Sequence, residues 1–367
     1  MMRRNAMAAL CLFVLAAPAA AAPLVSPFEG LAVTPKAGKA KACDDIPAPY
    51  TGKLEFASKY AGSGKARDRL NPFALFSYKR SIADIEAFEK GLAANSDRHV
   101  RGQAGAAACA LAWLHAWAAA DALAGEANAQ GKAVRKWALA AAAFNYLKIR
   151  DAKGLDAAEL RTVRDWLSRR AEQVVADHSG GDPARMNNHL YWAAAAVAAS
   201  AVATDRRDLL DWSFGVYRRA AAAIDADGVL ATEMARGARA LEYHNFALAP
   251  LVMVAAIGRA NGEDLLALND CALCRLATRV ETGLRDAAWF SERAGSRQAL
   301  DEVNGKLVPW VAPLAALCPG DARLAAFAQQ HAPASARRLG GNLTDLFAHG
   351  AGQRLRGDDA TCRQLWR

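Results

Sequence analysis

MNNHLYWAAAAVAASAVATDRRDLLDW, residues Met186–Trp212, decides how the chain folds. Its centre is almost pure alanine, the best helix former, and it lacks the period-two alternation of a half-buried strand. The spacing predicts a helix over 188–203 and a second over 207–224. The same composition recurs on either side. Helices are expected over 104–122, 132–149, 157–177, 239–260 and 264–284, with shorter ones near 308–317 and 323–331. Gly180-Gly181-Asp182-Pro183, Asp225 to Gly228, Gly295-Ser296 and Pro319-Gly320 punctuate them. Helices of about 16–20 residues joined by such loops read as antiparallel hairpins. Ala104 to Ala108 and Ala140 to Ala143 offer small faces for close helix approach, while Trp113, Trp117, Trp137 and Leu139 fill space. No fixed-period repeat argues for a solenoid. The expected fold is therefore all-α: an α/α toroid, an incomplete barrel of helical hairpins around a central cleft, as one domain over 23–367. Residues 23 to about 92 read as mostly non-helical, with 57–71 a Gly-, Lys- and Ser-rich covering loop.

The N-terminus carries Arg3 and Arg4, an apolar run from Ala6 to about Ala17, and the small-residue tract Pro18 to Ala22. That order is expected of a secretory signal peptide over 1–22. The run is too short for a permanent span, and no later stretch of ~20 uninterrupted apolar residues suggests membrane insertion. The formal charge of +9 falls to +7 without Arg3 and Arg4. Export disfavours nucleic acid, and no dense Lys/Arg run marks a membrane surface, which leaves an acidic extracytoplasmic substrate. Six cysteines remain beyond Cys11, namely Cys43, Cys109, Cys271, Cys274, Cys318 and Cys362. An even number in an oxidising compartment points to disulfides, with fifteen pairings open. Cys43 with Cys109, and the C-terminal cysteines among themselves, are the expected staples. Cys271-Ala272-Leu273-Cys274 lies in a helical pattern, without the second pair that a metal site needs.

Four clusters hold chemistry-bearing side chains. Asn187-Asn188-His189-Leu190-Tyr191-Trp192 follows a Gly/Pro loop, so either asparagine could cap the helix. Two amides, an imidazole, a phenol and an indole nevertheless exceed what a cap needs, and Asn188 and Trp192 share a helical face. Arg236, Arg239 and Tyr243 recur at intervals of three to four. If helical, they form one stripe: a solvated basic face beside a core tyrosine, or a phenol whose pKa neighbouring cations lower. Ser58-Lys59-Tyr60 sits in the covering loop. Arg337 and Arg338 precede Gly340-Gly341, a tight turn carrying two cations that need be no more than a surface turn. No nucleophile elbow, phosphate loop, zinc signature or dinucleotide fingerprint is present. A paired-carboxylate glycosidase keeps Asp182, Glu233 and Glu242 as unremarkable candidates.

At these clusters the sequence resembles the mannuronate-specific alginate lyases, poly(β-D-mannuronate) lyases of the bacterial periplasm. The similarity runs through PYTGKLEFASKYAGS (Pro49 to Ser63), VRKWALAA (Val134 to Ala141), the Met186 to Trp212 stretch, ARGARALEYHNFALAPL (Ala235 to Leu251) and RRLGGNLTDLF (Arg337 to Phe347). The resemblance implies an α/α toroid, cleavage of alginate by β-elimination, and no cofactor or metal. It places Asn188, His189, Arg236 and Tyr243 as the catalytic set, with Lys59 on a lid loop and Tyr60 beside it. Trp192, Arg239 and Arg338 are the further expected substrate contacts. Ala235 and Gly237 flank Arg236 where the family often has a basic run, so Arg239 is the candidate to supply the missing grip.

The chemistry agrees with these assignments. The C5 proton of a uronate is only weakly acidic while its carboxylate is negative, so quenching that charge suits Asn188, His189 and Arg236. In mannuronate the C5 hydrogen and O4 lie on one side of the ring, so Tyr243 can serve as base and then acid. His189 as base, with Tyr243 as acid only, is the other assignment. The expected protein is a periplasmic monomer acting on an anionic polysaccharide. A non-catalytic role in an alginate secretion complex and a glycoside hydrolase on the same fold are the alternatives.

Overall fold

Six of the described helices begin on an asparagine or aspartate whose side chain accepts a backbone N–H of the first turn: Asn71, Asn128, Asp156, Asn187, Asp321 and Asn342. The computed structural model describes residues 22–31, 33–36, 38, 42–61, 71–180, 186–300, 303–348 and 362. Residues 1–21 of the expected signal segment, Asp182 and residues 62–70 of the covering loop lie outside them.

In chain order the helices are α1 (Pro72–Ser81), α2 (Ala83–Val100), α3 (Ala106–Ala119), α4 (Ala129–Ile149), α5 (Ala157–His178), α6 (Asn188–Thr204) and α7 (Arg207–Ala223). Then follow α8 (Ala231–Met234), α9 (Ala240–Ala260), α10 (Leu268–Arg285), α11 (Ala288–Arg293), α12 (Val311–Leu317), α13 (Ala322–Gln330) and α14 (Leu343–Leu346). A two-stranded antiparallel ladder, β1 (Ser335–Ala336) with β2 (Gly341–Asn342), closes a turn near the C-terminal end. The fold is the α/α toroid. Its centre is α6, which packs on α4, α5, α7 and α9. Every residue from Leu190 to Ala203 is buried. Alanine is what allows this, because a helix enclosed on all sides has room only for short side chains. Enlarging one of these alanines would overpack the core at a cost of ~1–3 kcal/mol. Helix α9 is apolar and long enough to cross a membrane, yet 83% of that window is buried inside the protein, so it is a core helix.

Three expectations change. The stretch 23–92 is not mostly non-helical, since α1 and most of α2 lie within it. Helix α2 buries Ile85, Phe88 and Leu92 at helical spacing, but Gly91, Asn95 and Ser96 dilute its propensity. Tertiary contacts explain them: the Trp113 ring lies so close to Gly91 that a Cβ would meet it at 2.1 Å, and the Ser96 hydroxyl donates to Asn145. The Cys271–Cys274 motif is not wholly helical, because Asn269, Asp270 and Cys271 have φ of 49°, 51° and 59°, a left-handed turn that precedes the helix proper. Cys271 instead bonds Cys362, and Cys43 bonds Cys109, while Cys274 and Cys318 stand outside these disulfides. Finally, Arg236 to Tyr243 is not one helical stripe. Helix α8 stops at Met234, and a 3-10 turn over Gly237–Arg239, with Gly237 at φ 59°, precedes α9.

Candidate active site

Asn187 settles which asparagine is the cap: its side chain accepts the His189 N–H at 3.0 Å. That frees Asn188, which turns inward and is 1% exposed. Its backbone N–H donates to Glu233 Oε1 at 2.6 Å, and its Nδ2 donates to both Glu233 oxygens at 3.1 Å. Asn188 Oδ1 is buried without a partner. Glu233 is fully buried at the start of the α8–α9 junction, with Arg236 Nε 3.5 Å away. Burial pushes its carboxyl pKa up, against the opposing pull of Asn188 and Arg236.

His189 follows on α6 and meets a residue that the sequence reading passed over. Lys136, in the middle of α4 and fully buried, brings Nζ to 2.9 Å from His189 Nδ1. Burial, together with the like charge of Arg338, lowers its pKa to about 7. The adjacent Trp137, read only as a space filler, lines the cleft with its ring centroid 6.0 Å from that of His189. Arg338 stacks over Trp137 at 4.4 Å, its Nε held by both oxygens of Glu89 at 3.0 and 3.1 Å. Arg337 bonds Glu89 as well, at 2.6 Å. The turn is therefore no loose surface feature. Two guanidiniums anchored on one buried carboxylate fix it over the cleft.

On the opposite wall the break before α9 places Arg236 and Arg239 on Tyr243, each guanidinium carbon 4.8 Å from the ring centroid. Arg239 is also paired with Glu242 and donates to the Tyr60 hydroxyl at 3.0 Å. The expectation of a lowered Tyr243 pKa does not hold: burial outweighs the two arginines and raises it to about 12. Tyr60 behaves oppositely. Burial would raise it, but the Arg239 hydrogen bond and the charge of Lys59 bring the net value below the ordinary tyrosine range. Lys59 and Tyr60 reach the cleft because the extended segment before them is pinned to the start of α4. Leu54 N–H donates to Glu126 O at 2.7 Å, Asn128 Nδ2 donates to Phe56 O at 3.0 Å, and Gly131 leaves space for the Leu54 carbonyl.

Together these groups line a cavity of about 280 Å³ that collects eight of the nine expected residues: Lys59, Tyr60, Asn188, His189, Arg236, Arg239, Tyr243 and Arg338. The exception is Trp192. It is 3% exposed, its Nε1 donates to Phe246 O at 3.2 Å, and it lines an adjoining cavity of about 610 Å³. That cavity shares Glu242, Phe246, Arg337 and Arg338 with the first.

A cleft walled by cations and aromatic faces, with a phenol, an imidazole and an amide converging, suits a polymeric anion. Residues 55–290 match the alginate lyase family. The chain is 41% identical over 355 residues to an alginate lyase of Pseudomonas entomophila, covering 94% of this chain and 96% of that protein. It is 40% identical over 329 residues to one of Pseudomonas aeruginosa, covering 88% and 89%. The chain belongs to the alginate lyase family. In structure it is similar to alginate lyase A1-III of Sphingomonas species A1, with a TM-score of 0.73 and 27% identity over 83% of this chain and 85% of that one. Alginate lyase A1-III has also been solved with a tetrasaccharide in two variants, a histidine-to-alanine and a tyrosine-to-phenylalanine change. As an alginate lyase, this chain is a polysaccharide lyase whose substrate is alginate.

Proposed function

We propose that this alginate lyase cleaves at β-D-mannuronate by β-elimination, in the periplasm and as a monomer, after loss of residues 1–22. His189 and Arg236 quench the substrate carboxylate, and Tyr243 moves the proton. The Tyr243 phenolate takes the C5 hydrogen, the electron pair forms the C4–C5 double bond, and the C4–O4 bond breaks. The same phenol then protonates O4. The observation that carries this reading is that the Arg236 and Arg239 guanidiniums both lie 4.8 Å from the Tyr243 ring centroid in a cavity that His189 and Asn188 also line. A raised phenol pKa makes the phenolate scarce at neutral pH but strongly basic, and leaves the phenol as a ready acid for O4.

Asn188 contributes through Glu233. Its backbone N–H and Nδ2 both donate to that carboxyl, which fixes the amide in the residue next to His189. Lys59, Tyr60, Arg239 and Arg338 bind the flanking uronates, and Trp192 supports Phe246 from behind. The test is to incubate the protein with polymannuronate and with polyguluronate. Ultraviolet absorbance from the conjugated double bond should grow with the first and lag at least ~10-fold with the second. New reducing ends without absorbance would contradict elimination, and equal rates would contradict the mannuronate preference.

A further inference from the structure

Helix α4 buries three cations, and two of them are matched by carboxylates. Arg135 Nη1 lies 2.5 Å from Asp177, and Lys148 Nζ lies 2.5 Å from Asp97. Lys136 differs. The acid that acts on it is Asp177 on α5, whose oxygens are bonded to Arg135 and Lys132. The other charge facing it, Arg338 beyond β1, is of like sign. Its hydrogen-bonding partner is the imidazole of His189 on α6, at 2.9 Å from Nδ1. A fully buried amine is costly to keep without a carboxylate, and a methionine, unbranched and one atom shorter, would fill most of the space at less cost. Lys136 does one thing that a methionine cannot: it gives an N–H to a ring nitrogen of a residue that lines the active cleft.

A ring nitrogen that accepts a hydrogen bond carries its lone pair there, so the ring hydrogen must sit on the other nitrogen. We propose that Lys136 is a positioning residue that donates to Nδ1 and holds His189 as the Nε2–H tautomer. His189 then meets the substrate as a hydrogen-bond donor and not as the base, which leaves proton abstraction to Tyr243. The consequence for catalysis rests on the elimination reading above; the tautomer itself does not.

The test separates the two. In full-length protein labelled with nitrogen-15 at histidine, the His189 resonances are identified by their absence from His189→Gln. Near neutral pH the wild type should show Nδ1 unprotonated and Nε2 protonated. Lys136→Met should give a mixture of tautomers, with kcat on polymannuronate lowered ~10–100-fold and KM changed less than ~3-fold. Lys136→Arg, which keeps an N–H donor, should restore the Nε2–H signature. A wild-type ring protonated at Nδ1, with Lys136 as the acceptor, would overturn the proposal. So would Lys136→Met with the tautomer and kcat unchanged. The absence of unsaturated product from wild type would sink the elimination reading and leave the tautomer result standing.

Discussion

The two walls of the cleft are built on opposite principles. On the α4–α6 wall, Lys136 and Asn188 are each at most 1% exposed and their polar contacts hold neighbours in place: Lys136 aims His189, and the buried Glu233, reaching over from α8, aims Asn188. On the α8–α9 wall, the chain breaks helix at Gly237 and returns, so Arg236 and Arg239 lie over the Tyr243 ring, with the Tyr60 ring also under Arg239. The first wall is a fixed array of hydrogen bonds. It suits a charge that is present throughout the reaction, the carboxylate. The second holds a phenol beside two cations, which suits a proton that moves. Rigidity belongs where the charge stays, and polarisable stacking belongs where it changes hands.

This contrast can be broken one wall at a time. Tyr243→Phe removes the group that moves the proton and nothing else, so kcat should fall by ~10³ or more with the helical circular dichroism unchanged. Unsaturated product at near the wild-type rate would end the assignment. Glu233 probes the fixed wall. Glu233→Ala leaves Asn188 unaimed and should cost ~10²-fold in kcat, whereas Glu233→Gln, which can still accept the Asn188 backbone N–H, should lose only ~10-fold. Equal losses in both would show that the charge of Glu233 matters and not its hydrogen bonds. Lys59→Ala touches neither wall's chemistry and should raise KM ~10-fold with kcat nearly intact; a pure turnover defect would contradict a binding role.

The smallest effect concerns stability. Burial lowers the Lys136 pKa from 10.5 to about 7, so between those values the unfolded chain holds a proton that the folded one does not. Stability from this group therefore rises with pH across that window, and its penalty is full below about pH 7. Lys136→Met should raise the melting temperature by roughly 4 °C or more at pH 6, with the gain shrinking toward pH 10. A gain independent of pH would mean that the buried amine titrates as it does in the unfolded chain.

The fold was legible wherever helix and burial coincide. Alanine-rich α4, α6 and α9 appear within three residues of their expected bounds, because an enclosed helix admits little else. Helix α2 was lost because Gly91, Asn95 and Ser96 serve contacts with Trp113 and Asn145 that local composition cannot announce. The same division runs through the site. Groups at helix starts and turns, such as Asn188, His189, Arg236 and Arg338, stand out against loops and could be picked from the chain. Groups delivered from the middle of a helix could not. Lys136 did carry a signal, a second cation beside Arg135 at the head of the Ala-rich run of α4, but its meaning needs the partner 53 residues away. The Tyr243 pKa was misjudged for a related reason: neighbouring arginines are visible in sequence, and the burial that outweighs them is not.

The division of labour between the walls turns on which group takes the C5 proton. The direct measurement is kcat/KM on polymannuronate against pH, since this ratio reports the ionisation of the free enzyme. With Tyr243 as base and its phenol near 12, the value should still be climbing close to tenfold per unit at about pH 9. A plateau reached by about pH 8, and kept in Tyr243→Phe at reduced height, would give the proton to His189 and contradict the account.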